Sequence, residues 1–277
     1  MRAFLTIAHL TLHEALRRKV LLAVLVCGLA FLALYAVGFH FIEAELRRPG
    51  LEAIERKLGL TFFTLAGLYA VNFLTIMTAA LMPVDTLSGE IGSGVMQTLA
   101  AKPIRRSEIV LGKWAAFALL TAAYLVMMAG GVLLVARLMG SYTLPHVERG
   151  LPLMALEALV LVTLSIAGGT RFSTITNGIV AFGLYGLAFI GGWVEQIAAM
   201  TGNDTARSVG TVASLLMPSE ALWQLAAHHM QPALMRELQL SPFSPASVAT
   251  PAMVWWAAGY VAVTLMVALQ QFRRRAL

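Results

Sequence analysis

Six long apolar runs, separated by shorter polar or basic stretches, set the pattern of this 277-residue chain. The first, over 20–41, follows Arg17-Arg18-Lys19. At 1.5 Å per residue it reaches about 33 Å, enough for a hydrocarbon core of about 30 Å. It is too long for the apolar region of a signal peptide and has no convincing small-residue cleavage site, so it reads as a retained first span. Further spans are expected over 60–87, 109–138, 151–169, 174–193 and 253–269, with Pro83 bending the end of the second beyond Leu81. The fold class this predicts is an all-α membrane protein of six transmembrane helices, one domain over 1–277.

The stretches between the runs predict shorter elements. Residues 1–19 read as an amphipathic interfacial helix with Phe4, Leu5, Ala8, Leu12, Ala15 and Leu16 on one face. His9, His13 and Arg17 fall on another, and Glu14 can pair with Arg18 one turn on. His9 and His13 have metal-ligand spacing, but no carboxylate or cysteine joins them. In 42–59, Glu43 with Arg47 and Glu52 with Arg56 favour short helical pieces around Pro49-Gly50. Residues 194–252 form the longest polar interruption. There Ser219-Glu220 can cap a short helix through Leu222, Trp223 and Leu225 toward His228-His229, and Ser241-Pro242-Phe243-Ser244-Pro245 then breaks the chain.

A few polar residues lie inside the spans. Asn72, Thr75 and Thr78 recur every three residues in the second, a stripe suited to helix–helix contact or to a water-filled path. Glu157 lies in the fourth. It can snorkel, carry a proton, or face a polar cavity. Asn177 opens the fifth beside a series of glycines that suits tight packing or a moving interface.

Composition agrees with the pattern. The chain is 59% hydrophobic and 12% charged, with a mean hydropathy of +0.78, against about 25% charged residues in soluble domains. The single cysteine, Cys27, excludes a disulfide framework. The net charge of +6 follows the span ends and does not point to nucleic acid. Six spans put both termini on one side. That side carries twelve of the 20 Lys and Arg and four of the 14 Asp and Glu, among them Arg17, Arg18, Lys19, Lys102, Arg105, Arg106, Lys113, Arg171 and Arg273 to Arg275. Basic residues are retained inside, so both termini are expected in the cytoplasm. These clusters also suit anionic lipid headgroups.

No nucleotide-binding motif is present: Gly112-Lys113 is followed by Trp114, and Gly92-Ser93-Gly94 lacks the lysine. No HExxH, GxSxG or cysteine-pair metal signature occurs. The chain is therefore expected to have no ATPase site, catalytic constellation or cofactor of its own.

The stretch 85–106 joins the second and third spans. Ile91, Val95 and Leu99 fall four apart and are expected on one face of a short helix. Gly89, Gly92 and Gly94 allow a sharp turn into it, and Pro103 stops it. Such an element either joins two spans or passes force to a soluble partner. Gly89-Glu90, Ser93-Gly94, a hydrophobic stretch, Lys102-Pro103-Ile104, Arg105, Ile109-Val110 and Gly112-Lys113 follow in an order that resembles the first cytoplasmic loop of ABC-2 type permeases. Val95 stands where many relatives have threonine, and Ala100-Ala101 replaces a more hydrophobic pair.

The resemblance implies a coupling helix between helices 2 and 3 seated in a groove of a separate cytoplasmic ABC ATPase. It implies two permease copies and two ATPase subunits, with ATP and Mg bound by the ATPase. It also implies export across a bacterial cytoplasmic (inner) membrane, short external helices between helices 5 and 6, contact with membrane lipids, and room for an external accessory protein. Glu90 and Arg105 then become polar docking contacts, and Ile91, Val95 and Leu99 apolar ones. The pathway candidates are Asn72, Thr75, Thr78, Glu157 and Asn177. The alternative is an ATP-independent secondary carrier or membrane scaffold, for which more intramembrane ionisable groups than Glu157 are expected. A membrane enzyme using the external histidines is a third.

Overall fold

The computed structural model describes residues 2–48, 52–100, 104–237 and 248–275, without the side chains of Arg2, Leu99 and Ala100. These residues form twelve helices: α1 (Arg2–Arg17), α2 (Lys19–Leu46), α3 (Ala53–Leu81), α4 (Ser88–Gly92), α5 (Val95–Ala100), α6 (Arg106–Gly140), α7 (Val147–Gly169), α8 (Thr174–Thr201), α9 (Asp204–Leu216), α10 (Ser219–Met230), α11 (Ala233–Glu237) and α12 (Ala252–Arg274). Six of them, α2, α3, α6, α7, α8 and α12, are long and apolar enough to cross a membrane. At 1.5 Å per residue, α2 and α6 extend about 42 Å and about 52 Å, beyond a hydrocarbon core of about 30 Å.

α7 is the centre of the bundle and packs against α3, α6, α8, α10 and α12. Its Met154, Ala158, Leu161, Val162 and Ile166 are fully or almost fully buried. α6 in turn carries α1, α2 and α3. The Tyr35 ring of α2 lies against Phe63 of α3, centroids 5.5 Å apart, and fills the space left by Gly67, where a Cβ would lie 2.5 Å from the ring. Small residues thus set how closely these helices approach.

Both chain ends meet the start of α6. Phe4 and Ile7 of α1 crowd Gly112, and Arg106 donates to the carbonyls of Phe272, Arg273 and Arg275. This end of the bundle, where the two chain ends gather, is the terminal end. At the opposite end Glu43 accepts from Arg47 and, 3.1 Å away, from Arg56. The expected Glu52–Arg56 pair does not form. At the start of α3 the Glu52 backbone N–H donates to Glu55 Oε2, and Arg56 reaches Glu43 on α2. Pro49-Gly50, Lys102-Pro103 and the 241–245 break lie outside the described residues.

Three further expectations change. The single helix expected to carry Ile91, Val95 and Leu99 on one face is two helices: α4 ends at Gly92, and Gly94 has φ +77°, a conformation that breaks the helix. The buried line of α1 is Ile7, Thr11 and Ala15, whereas Leu5 and Leu16 are exposed, because the close crossing at Gly112 sets which face turns to α6. The short helix expected from Ser219 is α10, and it is buried in the bundle against α7, α8, α3 and α12. Its polar spacing hid that burial.

Replacing Gly67 by leucine drives a side chain into Tyr35. It should destabilise the detergent-solubilised chain by about 1–3 kcal/mol, as overpacking does. Gly183→Ala meets no atom within 4 Å and should leave the melting temperature unchanged. Thermal melts of the two variants side by side check this.

Candidate functional site

A surface at the terminal end is assembled from three elements. α1 lies across α6 where glycine at 112 leaves room for Ile7. α4 and α5 fold back beside them. Ile7, Leu10, Thr11 and Glu14 of α1, Glu90 and Val95 of the connection, and Ile109 and Lys113 of α6 line a cavity of about 190 Å³. Lys113 enters it almost wholly buried and forms an ion pair with Glu90 Oε1. Glu90 Oε2 is buried in the cavity without a partner. Glu14 pairs with Arg18 at 2.6 Å, as its spacing predicts.

The connection is anchored to several spans. Asn177 Nδ2 of α8 donates to Val84 O at 3.1 Å and to Ser165 O of α7 at 2.8 Å. Ser165 Oγ donates to Ala80 O of α3 at 2.9 Å. Thr174 Oγ1 donates to Asp85 Oδ1 at 2.8 Å and lies 2.9 Å from Ser88 Oγ. With the Glu90–Lys113 pair, segment 80–90 is joined to α6, α7 and α8. Beyond this anchored part Val95 is 48% exposed and Arg105 is exposed. Ile91 is half-buried against the core. The side chain of Leu99 lies outside the described residues. By sequence Lys113 is only one more basic residue near a span end. A cation inside the apolar run from Ile109 was the available sign that it needs an internal partner.

A second polar group lies inside the bundle. Asn72 Nδ2 donates to Glu157 Oε2 at 3.0 Å, and both residues are buried. Glu220 of α10 is within electrostatic reach of Glu157. It is only 6% exposed and occupies the space beside Gly192, where a Cβ would lie 2.3 Å from its Cγ. Gln196 Nε2 donates to Gln224 Oε1 at 3.1 Å. Burial pushes the Glu220 carboxyl up to about 7, with a hydrogen bond from Gln224 acting the other way. Thr75 and Thr78 turn back instead, donating to Val71 O and Leu74 O of their own helix. The structure therefore brings Asn72 and Glu157 together. It leaves the two threonines self-satisfied and puts Asn177 with the connection at the terminal end.

Among the described residues no three His, Cys, Asp or Glu gather as a metal site. His9 and His13 stack with ring centroids 6.3 Å apart.

Six long apolar helices in a bundle centred on α7 make this chain an integral membrane protein of the α-helical bundle class. Within that class it belongs to a transporter family: the family model described as ABC-2 family transporter protein matches residues 5–277. The chain is thus an ABC-2 type permease. A comparison with curated proteins gave no match.

Two outcomes follow from this geometry. Lys113→Met leaves the half-buried Glu90 carboxylate, whose Oε2 is enclosed, unpaired, which should cost about 3 kcal/mol of stability. Adding Glu90→Gln should recover most of that loss, read as melting temperatures around the double-mutant cycle. Glu220 makes stability fall with pH. The unfolded carboxyl titrates near 4.5, so across about pH 4.5 to 7 the folded chain keeps a proton the unfolded chain releases. Its stabilising effect is complete below that window and is lost as pH rises through it. Melts of Glu220→Gln should show a flatter decline between about pH 5 and 8 than the parent.

Proposed function

We propose that this permease is the membrane half of an ATP-driven exporter and that the α1–α4–α5–α6 surface receives a separate cytoplasmic ABC ATPase. Family membership supports the transporter role. The observation that carries the coupling role is the part-buried Glu90–Lys113 pair, which joins α4 to the span α6 while Val95 projects from the neighbouring helix. In this reading α1 is the amphipathic connecting helix at the membrane surface and α4–α5 is the coupling element. Glu90 acts as the strut that carries load to α6. Val95 and Arg105 meet the ATPase, Ile91 backs the element from the core side, and Leu99 adds a further apolar contact.

The basic balance of the terminal side supports placing both termini and this surface in the cytoplasm of a bacterial inner membrane. Two permease copies and two ATPase subunits complete the assembly, with ATP and Mg held by the ATPase. The α9–α11 segment is then external, above the translocation route and open to an accessory protein. Asn72 and Glu157 line that route only in a state where α3 parts from α7. Thr75, Thr78 and Asn177 do so only if their present bonds are released.

The Asn72–Glu157–Glu220 group favours a second reading, an ATP-independent carrier, more than Glu157 alone does. The two separate on one measurement. Val95→Glu places a charge in the proposed contact and should weaken ATPase binding about 30-fold, the loss of one interface hot spot, with export falling in parallel. Export that continues at the parent rate without any ATPase would remove the coupling reading.

A further inference from the structure

A cluster of guanidinium groups remains outside the surface just described. Arg171, in the turn between α7 and α8, and Arg274 and Arg275, at the end of α12, line an open cavity of about 370 Å³ with Thr170 and Gln271. Arg275 is fixed in place by donating to Thr170 O. Thr170 Oγ1 donates to Gln271 Oε1 at 3.0 Å, which leaves the Gln271 amide N–H groups as donors beside the cavity. Among the described residues no carboxylate pairs with Arg171 or Arg274. Uncompensated guanidinium groups in one cavity call for an anion, and their fork geometry suits phosphate.

The C-terminus of a helix ordinarily repels an anion, because its last carbonyls point outward. Here Arg106 Nη1 covers them, donating to the carbonyls of Phe272, Arg273 and Arg275 at 3.5, 3.2 and 2.7 Å. The negative end of α12 is thereby neutralised beside the cavity.

The walls of the cavity distinguish a lipid from a free anion. On α12, Gln271 and Arg274 continue along the same face to Val267 and Val263, at helical spacings of three and four residues. Val267 is 41% and Val263 61% exposed. A polar, cationic cavity at the span end therefore opens directly onto an exposed apolar strip that runs toward the middle of the bilayer. A soluble phosphate or an acidic protein side chain has no use for that strip. An amphiphile fits both parts.

We propose that the cavity between the α7–α8 turn and the end of α12 binds the headgroup phosphate of an anionic phospholipid, with one acyl chain lying along Val267 and Val263. Arg171 and Arg274 contact the phosphate. Arg275 and Arg106 are positioning residues, one holding the turn to α12 and the other covering the helix end. The site depends on the chain crossing a membrane, not on the ATPase reading.

The test uses the full chain in nanodiscs, with no ATPase present, and native mass spectrometry of retained lipid. In mixed phosphatidylcholine and phosphatidylglycerol the parent should retain phosphatidylglycerol preferentially. Arg171→Gln/Arg274→Gln should lose about 25-fold of that preference, about fivefold for each guanidinium removed. Arg48→Gln/Arg149→Gln, at the opposite end, should keep it. Val263→Gln/Val267→Gln, with both guanidiniums intact, should also weaken retention. Unchanged preference in the double arginine variant overturns the site. So does displacement of the retained lipid by excess inorganic phosphate with no effect of the valine variant, which assigns the cavity to free anions.

Discussion

Within the bilayer a polar group has no water to return to, so each must find its partner inside the protein. Most polar side chains of this bundle meet that constraint in one of two ways, although the buried Thr121 hydroxyl has no partner. Thr61, Thr64, Thr75, Thr78 and Thr163 donate to the carbonyl four residues back and so can sit in a span without a partner on another helix. Ser165, Asn177, Trp114 and Lys113 cannot, and each reaches a different element. The second kind fastens α3, α6, α7 and α8 to one another at the terminal end. Segment 80–90 is accordingly held like a piece of the core, although its sequence looks like a loop.

The opposite end is fixed by other means. Glu43 draws together the end of α2 and the start of α3, and Thr61 Oγ1 lies 2.5 Å from the Tyr142 hydroxyl beyond α6. α8 and α9 approach closely because Gly191 and Gly210 face each other, with Gly191 O 2.7 Å from where a Cβ on Gly210 would lie. α10 fits against α7 because Gly150 leaves space for Met230, and against α8 because Gly192 leaves space for Glu220. Absent side chains, together with these two polar contacts, shape this end.

The architecture was legible because apolar length is a direct physical requirement for crossing a bilayer, and each of the six long helices shows it in the sequence. The Glu14–Arg18 and Glu43–Arg47 pairs were legible because helical spacing places them side by side. What escaped depends on distance in space, not in sequence. Lys113 meets Glu90 across 23 residues, and no periodicity reports that. Glu220 reads as a capping residue of a polar stretch, and only the glycine opposite it in α8 shows that its position is internal. The face of α1 follows from Gly112, a hundred residues away. The break at Gly94 is hidden in the sequence for another reason: four-residue spacing of apolar positions persists through a glycine that ends the helix.

That break bears on how the proposed coupling element would carry load. Gly92 and Gly94 have no neighbour within 4 Å of a Cβ position, so the joint between α4 and α5 is open to bending. A free joint would absorb a push instead of passing it on. α5, however, is seated independently, because Met96 beside the exposed Val95 is fully buried in the core. Pressure on Val95 would thus reach the bundle through Met96 directly, while α4 stays tied to α6 by Glu90 and Lys113. In the proposed exporter the two short helices would act as separate contacts on one span bundle, and the glycine joint would let them respond to a partner at different angles.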